Sequence, residues 1–260
     1  MTDTPLIYRS GSPIGEIILN QPAKRNAISA AMWAQLADAV AKATSDETVK
    51  VLVIRGEGEH FAAGADISEF AQVYETPEKA QRYTQTMLDA LKTLEACAKP
   101  TIAQIKGSCV GGGCSIALAC DFRFAGASAR FGVTPGKLGL VYSLADTRRL
   151  AAAVGEGGAK DLLLTGRLID VEEANHIGLC DRLYHDAELE GGVREFASQI
   201  ASVSQWSVRA TKKTLRMLKD GLADDDPQAM ALMLEAFEGA DFQEGYKAFL
   251  EKRKPDFPTK

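Results

Sequence analysis

Short apolar runs alternate with helical stretches along the first half of the chain, and this alternation restricts the fold more than any other feature. Residues 50–56, KVLVIRG, form a continuous apolar run that ends at glycine, which is typical of a strand buried on both faces. An alanine-rich helical stretch capped by Ser29 precedes this run, and a helical pattern over residues 78–98 follows it. Lys99-Pro100 ends that second helix, and TIAQIKG (101–107) begins another strand. We therefore predict an α/β fold with parallel βαβ units.

The pattern changes in the C-terminal part of the chain. Residues 187–253 have helical periodicity with one apolar face. The residues of that face include Phe242, Tyr246, Phe249 and Leu250. We predict an α/β core over residues 1–200 and a helical region over residues 201–260, which must bury its apolar face against another surface.

Composition and charge exclude several classes of partner. The 260 residues carry a net charge of −5 and show no basic stripe, so no nucleic-acid partner is expected. The longest nearly apolar run, residues 109–120, is broken by three glycines and is too short to cross a bilayer, so no membrane partner is expected. We predict a soluble cytoplasmic protein, because the N-terminus lacks a signal-peptide pattern and the five cysteines have the character of buried thiols in a reducing compartment. No group of histidines, cysteines and carboxylates has metal-ligand spacing, so no metal is predicted.

Two glycine-bearing loops follow predicted strands. They are HFAAGADI (60–67) and VGGGCSIA (110–117). Both would lie at the carboxyl ends of parallel strands, where their backbone N–H groups could hold one oxyanion between them. Neither has the spacing of a dinucleotide-binding or P-loop motif. Each loop alone is more typical of a turn or packing feature.

These loops belong to a longer set of motifs that resembles the enoyl-CoA hydratase/isomerase, or crotonase, superfamily. The resemblance runs from about Ile17 to Phe257. Its motifs are PAKRNAIS (22–29), HFAAGADI, KPTIAQIKGSCVGGGCSIALACDFRFA (99–125), LLLTGRLIDVEEANHIGLCDRL (162–183) and GYKAFLEKRKPDF (245–257). The resemblance implies a spiral of ββα units, a helical C-terminal trimerisation region, and a homotrimer or dimer of trimers.

The same resemblance assigns roles to individual residues. The backbone amides of Ala65 and Gly112 would hold the oxygen of an acyl-CoA thioester and stabilise its enolate, and losing one such donor costs about 3 to 4 kcal/mol. Coenzyme A enters as part of the substrate, and no separate cofactor is implied. The implied CoA contacts are Lys24, Arg25, Ala27 and Ala63, with Phe249 and Lys252 reaching the CoA of a neighbouring subunit. From the residues alone, Lys24 and Arg25 fit a solvated loop equally well.

Both catalytic glutamates typical of hydratases in this superfamily are absent. The matching positions hold Ser115 and Pro135. A hydroxyl with an ordinary pKa is a poor general base, and proline has no functional side chain. The usual two-carboxylate addition of water is therefore predicted to be disabled.

A different reaction is indicated by TPGKLGLVYSL (134–144), which is similar to a loop of methylmalonyl-CoA decarboxylases in the same superfamily. In those enzymes the tyrosine, Tyr142 here, faces the carboxylate that is lost. The match is partial, because those enzymes have histidine where this chain has Ala65 and glutamate where it has Ser115. Decarboxylation of a malonyl-type CoA is the favoured specific function.

Two alternatives stay open at this point. The first is an enoyl-CoA hydratase or isomerase that uses another acid or base, for which Ser115, Asp146 and Glu69 are candidates. Asp146 also fits a capping box with Ser143, and Tyr142 also fits a purely packing role. The second is a CoA-thioester binding protein that has kept the pocket and lost catalysis.

Overall fold

A computed structural model describes residues 4–259, and its strands form two sheets. The larger sheet contains, in order across it, β1 (Leu6–Arg9), β2 (Ile14–Leu19), β3 (Val51–Gly56), β4 (Thr101–Ile105), β6 (Phe122–Gly126) and β9 (Arg182–Tyr184). The smaller sheet contains β5 (Ser108–Val110), β7 (Arg130–Gly132) and β8 (Leu168–Asp170). Among the described strands of the larger sheet, β1 pairs antiparallel with β2, and all other neighbours pair in parallel.

Helices cover the sheets and form the C-terminal part. They are α1 (Ala30–Ser45), α2 (Phe70–Val73), α3 (Pro77–Glu95), α4 (Gly112–Ala119), α5 (Leu144–Thr165), α6 (Val171–His176), α7 (Leu189–Ala201), α8 (Gln205–Lys219), α9 (Pro227–Glu238) and α10 (Ala240–Leu250). Ser29 caps α1 with its side chain, as the sequence predicts.

The chain winds as a spiral because consecutive strands enter different sheets. Only two residues separate β4 from β5, and Gly107 in this corner has a φ of +50°, a conformation that favours glycine. β6 and β7 repeat the same step, and a bridge between Ala62 and Cys109 adds the segment after β3 to the smaller sheet. The predicted spiral of ββα units is confirmed. The predicted parallel βαβ units are also confirmed, since β2, β3, β4 and β6 pair in parallel and α1, α3 and α4 lie in the connections between them. A second short strand, β5, comes between β4 and α4.

The core continues across both faces of the larger sheet. Leu52 and Ile54 of β3 pack into the main cluster with α1 and α3, whereas Val51 and Val53 pack on the other face against Leu189 of α7. The prediction that the run over residues 50–56 is buried on both faces is therefore confirmed.

The five cysteines are all free and buried, as their apolar surroundings predict. Within residues 4–259, none of the helices combines the length and the apolar character needed to cross a membrane.

The last two helices leave large apolar side chains exposed. They include Met233, Leu234, Phe237, Phe249 and Leu250. Contact between α9 and α10 does not cover them. Assembly into trimers through this region stays a prediction.

A buried lysine binds the C-terminal end of α1. Lys99 is 6% exposed, and its ammonium group donates hydrogen bonds to the backbone oxygens of Ala43, at 2.7 Å, and Asp46. Burial lowers the pKa of Lys99. The charge therefore supplies a donor to the Ala43 carbonyl at the helix end, and adds a second donor to the Asp46 carbonyl, which already accepts the Val49 N–H.

We expect Lys99→Met to lower the free energy of unfolding by about 1 to 3 kcal/mol, because it removes the donor of the carbonyl oxygen of buried Ala43. Urea denaturation of the variant measures this loss. Lys92→Met on the exposed face of α3 is the matched control and should change the free energy of unfolding by less than about 0.5 kcal/mol. Equal losses in the two variants would contradict the role of Lys99.

Candidate active site

Two loops with unusual backbone conformations meet beside the N-terminus of α4. Gly64 has a φ of +113° and Gly111 a φ of +51°, both in the region that favours glycine. The backbones are so close that a Cβ on Gly111 would lie 3.8 Å from the Gly64 Cα. The two glycine-bearing loops of the sequence are thus brought together, as predicted.

Pairing with Ile28 fixes the direction of the Ala65 amide. The Ile28 N–H donates to the Gly64 oxygen at 2.7 Å, and the Asp66 N–H donates to the Ile28 oxygen at 2.9 Å. Because N–H groups alternate in direction along an extended segment, the Ala65 N–H points away from Ile28. This amide is left free for a ligand.

The Gly112 amide is free because it belongs to the first residue of a helix. The Gly111 N–H donates to the Gly132 oxygen at 2.9 Å, and the Ser115 N–H closes the first turn of α4 by donating to Gly111 at 3.0 Å. The first N–H groups of a helix have no partner inside it. Within residues 4–259, neither Ala65 nor Gly112 donates its N–H to a protein acceptor.

Both residues line a cavity of about 180 Å³. Its wall is mainly apolar and aromatic, with a few polar groups. The lining residues are Trp33, Ala63, Gly64, Ala65, Ile67, Phe70, Tyr74, Tyr83, Met87, Val110, Gly111, Gly112, Ser115, Thr134, Pro135, Leu138, Leu140, Val141, Tyr142, Ser143 and Asp146. Such a wall suits an acyl group whose polar end is held at one point.

A pair of hydroxyl groups faces this cavity. The Ser115 Oγ and Tyr142 Oη lie 2.8 Å apart, and each is also 3.4 to 3.5 Å from the Gly111 oxygen. Ser115 is 1% exposed, and it follows Gly112 by three residues on α4, so the two share one helix face. The hydroxyl pair therefore lies on the same side of the cavity as the Gly112 amide.

Tyr142 is uncharged in this site. Burial raises its pKa well above the usual value, and the neighbouring Cys114 thiol and Asp146 carboxylate raise it further. The hydrogen bond with Ser115 acts in the opposite direction and is weaker. The group that Tyr142 presents to a ligand is consequently a neutral phenol.

Asp146 is the single carboxylate among the described residues that line the cavity, and both of its oxygens are occupied. Ser143 Oγ donates to one oxygen at 2.6 Å, and Arg149 Nη1 donates to the other at 2.9 Å. Ser143 also caps α5 by accepting from the Asp146 N–H, so the capping box predicted from sequence is present. Arg149 continues to Glu95 on α3, which ties the start of α5 to that helix.

Glu69, the other carboxylate candidate, lies outside this cavity. Its Oε2 accepts the Ala30 N–H at 2.7 Å, at the first residue of α1. A carboxylate in this position is stabilised by the helix dipole. The structure thus gives Glu69 a capping contact.

Three of the predicted CoA-contact residues lie together: Lys24 and Arg25 belong to one loop, and Ala63 lines the cavity. Lys24 Nζ is 2.6 Å from Asp66 Oδ2, and this pair raises the pKa of Lys24 and lowers that of Asp66. The Ala63 N–H donates to the Arg25 oxygen at 3.0 Å, which binds the loop to the Ala65 segment. Lys24 is half exposed, so its charge is available to an anionic ligand.

Three further residues predicted to contact CoA do not line the cavity of this chain. Ala27 hydrogen-bonds within its own turn, and Phe249 and Lys252 lie at the end of α10, with Phe249 82% exposed. Their contacts with CoA stay predictions. His60, which precedes the first loop, accepts the Ser108 N–H through Nδ1 and lies outside the cavity.

Sequence reasoning overlooked three residues that shape the site. Asn26 is fully buried, has a φ of +54°, and uses its amide to bind the backbone of Gln21, Glu57 and His60. The sequence does contain an indication for Asn26, since asparagine adopts a positive φ more readily than most residues. Trp33 and Tyr83 line the cavity from α1 and α3, but in sequence they are ordinary apolar positions of amphipathic helices.

Fold and site together define an α/β protein with two free backbone amides at an acyl-sized cavity. A family model described as enoyl-CoA hydratase/isomerase matches residues 9–260, and the chain belongs to this family. It is similar to a crotonyl-CoA hydratase of Syntrophomonas wolfei, with 35% identity over 98% of each chain, and to a 2,3-dehydroadipyl-CoA hydratase of Escherichia coli, with 36% identity over 93% of each. A crystal structure of an enoyl-CoA hydratase/isomerase family protein from Hyphomonas neptunium superposes with a TM-score of 0.97, at 49% identity and 98% coverage of each chain.

Proposed function

We propose that this acyl-CoA enzyme decarboxylates a malonyl-type CoA thioester. The proposal rests on the neutral Ser115–Tyr142 hydroxyl pair, which lies beside the two free amides. Asp146, the single carboxylate among the described residues of the cavity wall, is already hydrogen-bonded to Ser143 and Arg149. Loss of carbon dioxide requires stabilisation of an enolate and a later proton donor, but no base. These requirements match the groups present.

The reaction proceeds in two steps. The thioester oxygen accepts hydrogen bonds from the Ala65 and Gly112 amides, the bond between the α-carbon and the carboxylate breaks, and its electron pair forms the enolate as carbon dioxide leaves. The Tyr142 hydroxyl then gives its proton to the α-carbon. Ser115 donates a hydrogen bond to the resulting phenolate until water restores the proton. A thioester enolate is a much stronger base than a phenolate, so the raised pKa of Tyr142 does not prevent this transfer.

Hydration of an enoyl-CoA is the second candidate, and the names of the relatives favour it. The relatives from Syntrophomonas wolfei and Escherichia coli are both named hydratases. Hydration needs a group that removes a proton from water, and the hydroxyl pair is poorly suited to this at neutral pH because both groups are protonated. The site chemistry therefore favours decarboxylation.

The purified protein should release carbon dioxide from methylmalonyl-CoA and form propionyl-CoA, without adding water to crotonyl-CoA. Mass spectrometry of the thioesters separates the two products directly. If the protein adds water to crotonyl-CoA at a comparable rate, the proposed function is wrong and the protein is a hydratase. Binding of both thioesters without a change of mass would instead assign the chain to non-catalytic binding proteins.

Gly112→Pro should reduce turnover of the accepted thioester by about 100-fold to 1000-fold, because proline removes one oxyanion donor. The first helical position otherwise tolerates proline. Gly112→Ala is the matched control, since it keeps the N–H and adds a Cβ at 3.1 Å from Trp33 and 3.3 Å from Ile28. Equal losses in the two variants would attribute the effect to crowding and remove the amide from the mechanism.

Tyr142→Phe should lower kcat for decarboxylation by about 100-fold or more, because it removes the proton donor. Ser115→Ala should have a smaller effect in the same direction, and Tyr184→Phe, outside the cavity, should have none. In the parent protein kcat should stay constant from about pH 6 to about pH 9, since the raised pKa of Tyr142 keeps the phenol protonated there. A kcat that rises with pH through this range would indicate a titrating base and contradict the assignment.

A further inference from the structure

One polar group in the cavity wall has no partner. Trp33 is 1% exposed and lines the cavity, yet its indole N–H forms no hydrogen bond within residues 4–259. The ring edge lies directly beside the oxyanion site, because a Cβ on Gly112 would be 3.1 Å from Trp33 Cζ2. A buried donor without an acceptor lowers the stability of a protein, so an unpaired N–H facing a ligand cavity is informative.

Tyr83 provides a second donor next to the first. Its hydroxyl is close enough to the Trp33 N–H for the indole to lower the pKa of the phenol, although the two groups do not reach hydrogen-bond geometry. Burial has the larger effect and raises the pKa of Tyr83 to about 12. The phenol is therefore a neutral donor, and it lies next to the indole in the wall of the same cavity.

Tyr83 also forms part of a second cavity, of about 420 Å³, between α1, α2 and α3. Its wall includes Lys79, Arg82 and Glu69. Lys79 pairs with Glu75, whereas Arg82 forms no salt bridge within the described part of the chain. Tyr83 thus lines both the acyl cavity and a second cavity whose wall carries charged side chains.

We propose that the acyl group of the natural substrate carries an oxygen acceptor that binds the Trp33 N–H and the Tyr83 hydroxyl. The substrate class is an oxygen-substituted acyl-CoA rather than a plain alkyl one. A site that presents a buried donor discriminates strongly against an analogue that lacks the matching acceptor, because the donor is then left unpaired. The acceptor is a carboxylate or a neutral hydroxyl oxygen, and the two are distinguished by the choice of ligand.

This inference rests on the proposed acyl-CoA function but is tested by binding, so it is independent of which reaction occurs. The probes are butyryl-CoA, 4-hydroxybutyryl-CoA and succinyl-CoA, with the corresponding set one carbon longer. Isothermal titration calorimetry should show at least one oxygenated thioester binding about tenfold more tightly than its alkyl counterpart. Preference for the carboxylate alone would identify a dicarboxylic acyl group, and equal preference for the hydroxyl would identify a neutral acceptor.

Variants assign the preference to the two donors. Tyr83→Phe and Trp33→Phe should each reduce the ratio of the affinities for the oxygenated and the alkyl thioester, whatever change in absolute affinity the altered cavity wall produces. Equal loss of affinity for all ligands would show that these rings only shape the cavity, and would overturn the inference. Tyr184→Phe serves as the control for removal of a hydroxyl elsewhere.

A spectroscopic measurement tests the contact even if Trp33→Phe fails to fold. The chain has two tryptophans, so Trp206→Phe leaves Trp33 as the single indole. Its emission should shift to longer wavelength on binding an oxygenated thioester and stay unchanged with the alkyl one, because only the former accepts a hydrogen bond from the indole. No affinity difference and no shift with any oxygenated ligand would mean that ordered water alone satisfies this donor.

Discussion

The site depends on the pairing of Ile28 with the segment around Ala65. By taking the Gly64 oxygen and the Asp66 N–H, this short bridge turns the intervening amide toward the cavity. The same segment binds the Arg25 backbone through Ala63, and Lys24 through Asp66. One stretch of backbone therefore fixes an oxyanion donor and the loop expected to meet CoA. Since backbone donors are already oriented, little reorganisation is needed when charge develops on the ligand.

The second constraint is the electrostatic character of the cavity. Hydration needs a group that removes a proton from water, and this cavity offers hydroxyl groups together with an aspartate that is bound to Ser143 and Arg149. Breaking the buried Asp146–Arg149 pair to free that aspartate would be strongly unfavourable, at about 3 to 5 kcal/mol. The aspartate therefore serves to hold α5, and with it Tyr142, in place.

Much of the fold could be predicted from the sequence because its long elements have clear periodicity. The run over residues 50–56, the cap at Ser29 and the helical C-terminal part were all recognisable. The short strands β5, β7 and β8 were not, since three residues are too few to show alternation. In the site, the glycine loops and the Ser115 and Tyr142 positions emerged from motif resemblance. Trp33 and Tyr83 could not be distinguished from core residues, because only the folded chain shows that their polar atoms meet at one cavity.

The burial of every cysteine has a consequence for a protein that handles thioesters. A thiolate can attack an acyl-CoA and take its acyl group while CoA leaves as the thiol, and it can exchange with the disulfide of oxidised CoA to form a mixed disulfide. Burial raises the pKa of Cys180 to about 11 and raises the pKa of Cys109 and Cys120 well above the usual value. These three thiols thus stay protonated and out of reach of solvent. Burial therefore protects these cysteines against acylation by a bound thioester and against exchange with CoA disulfides.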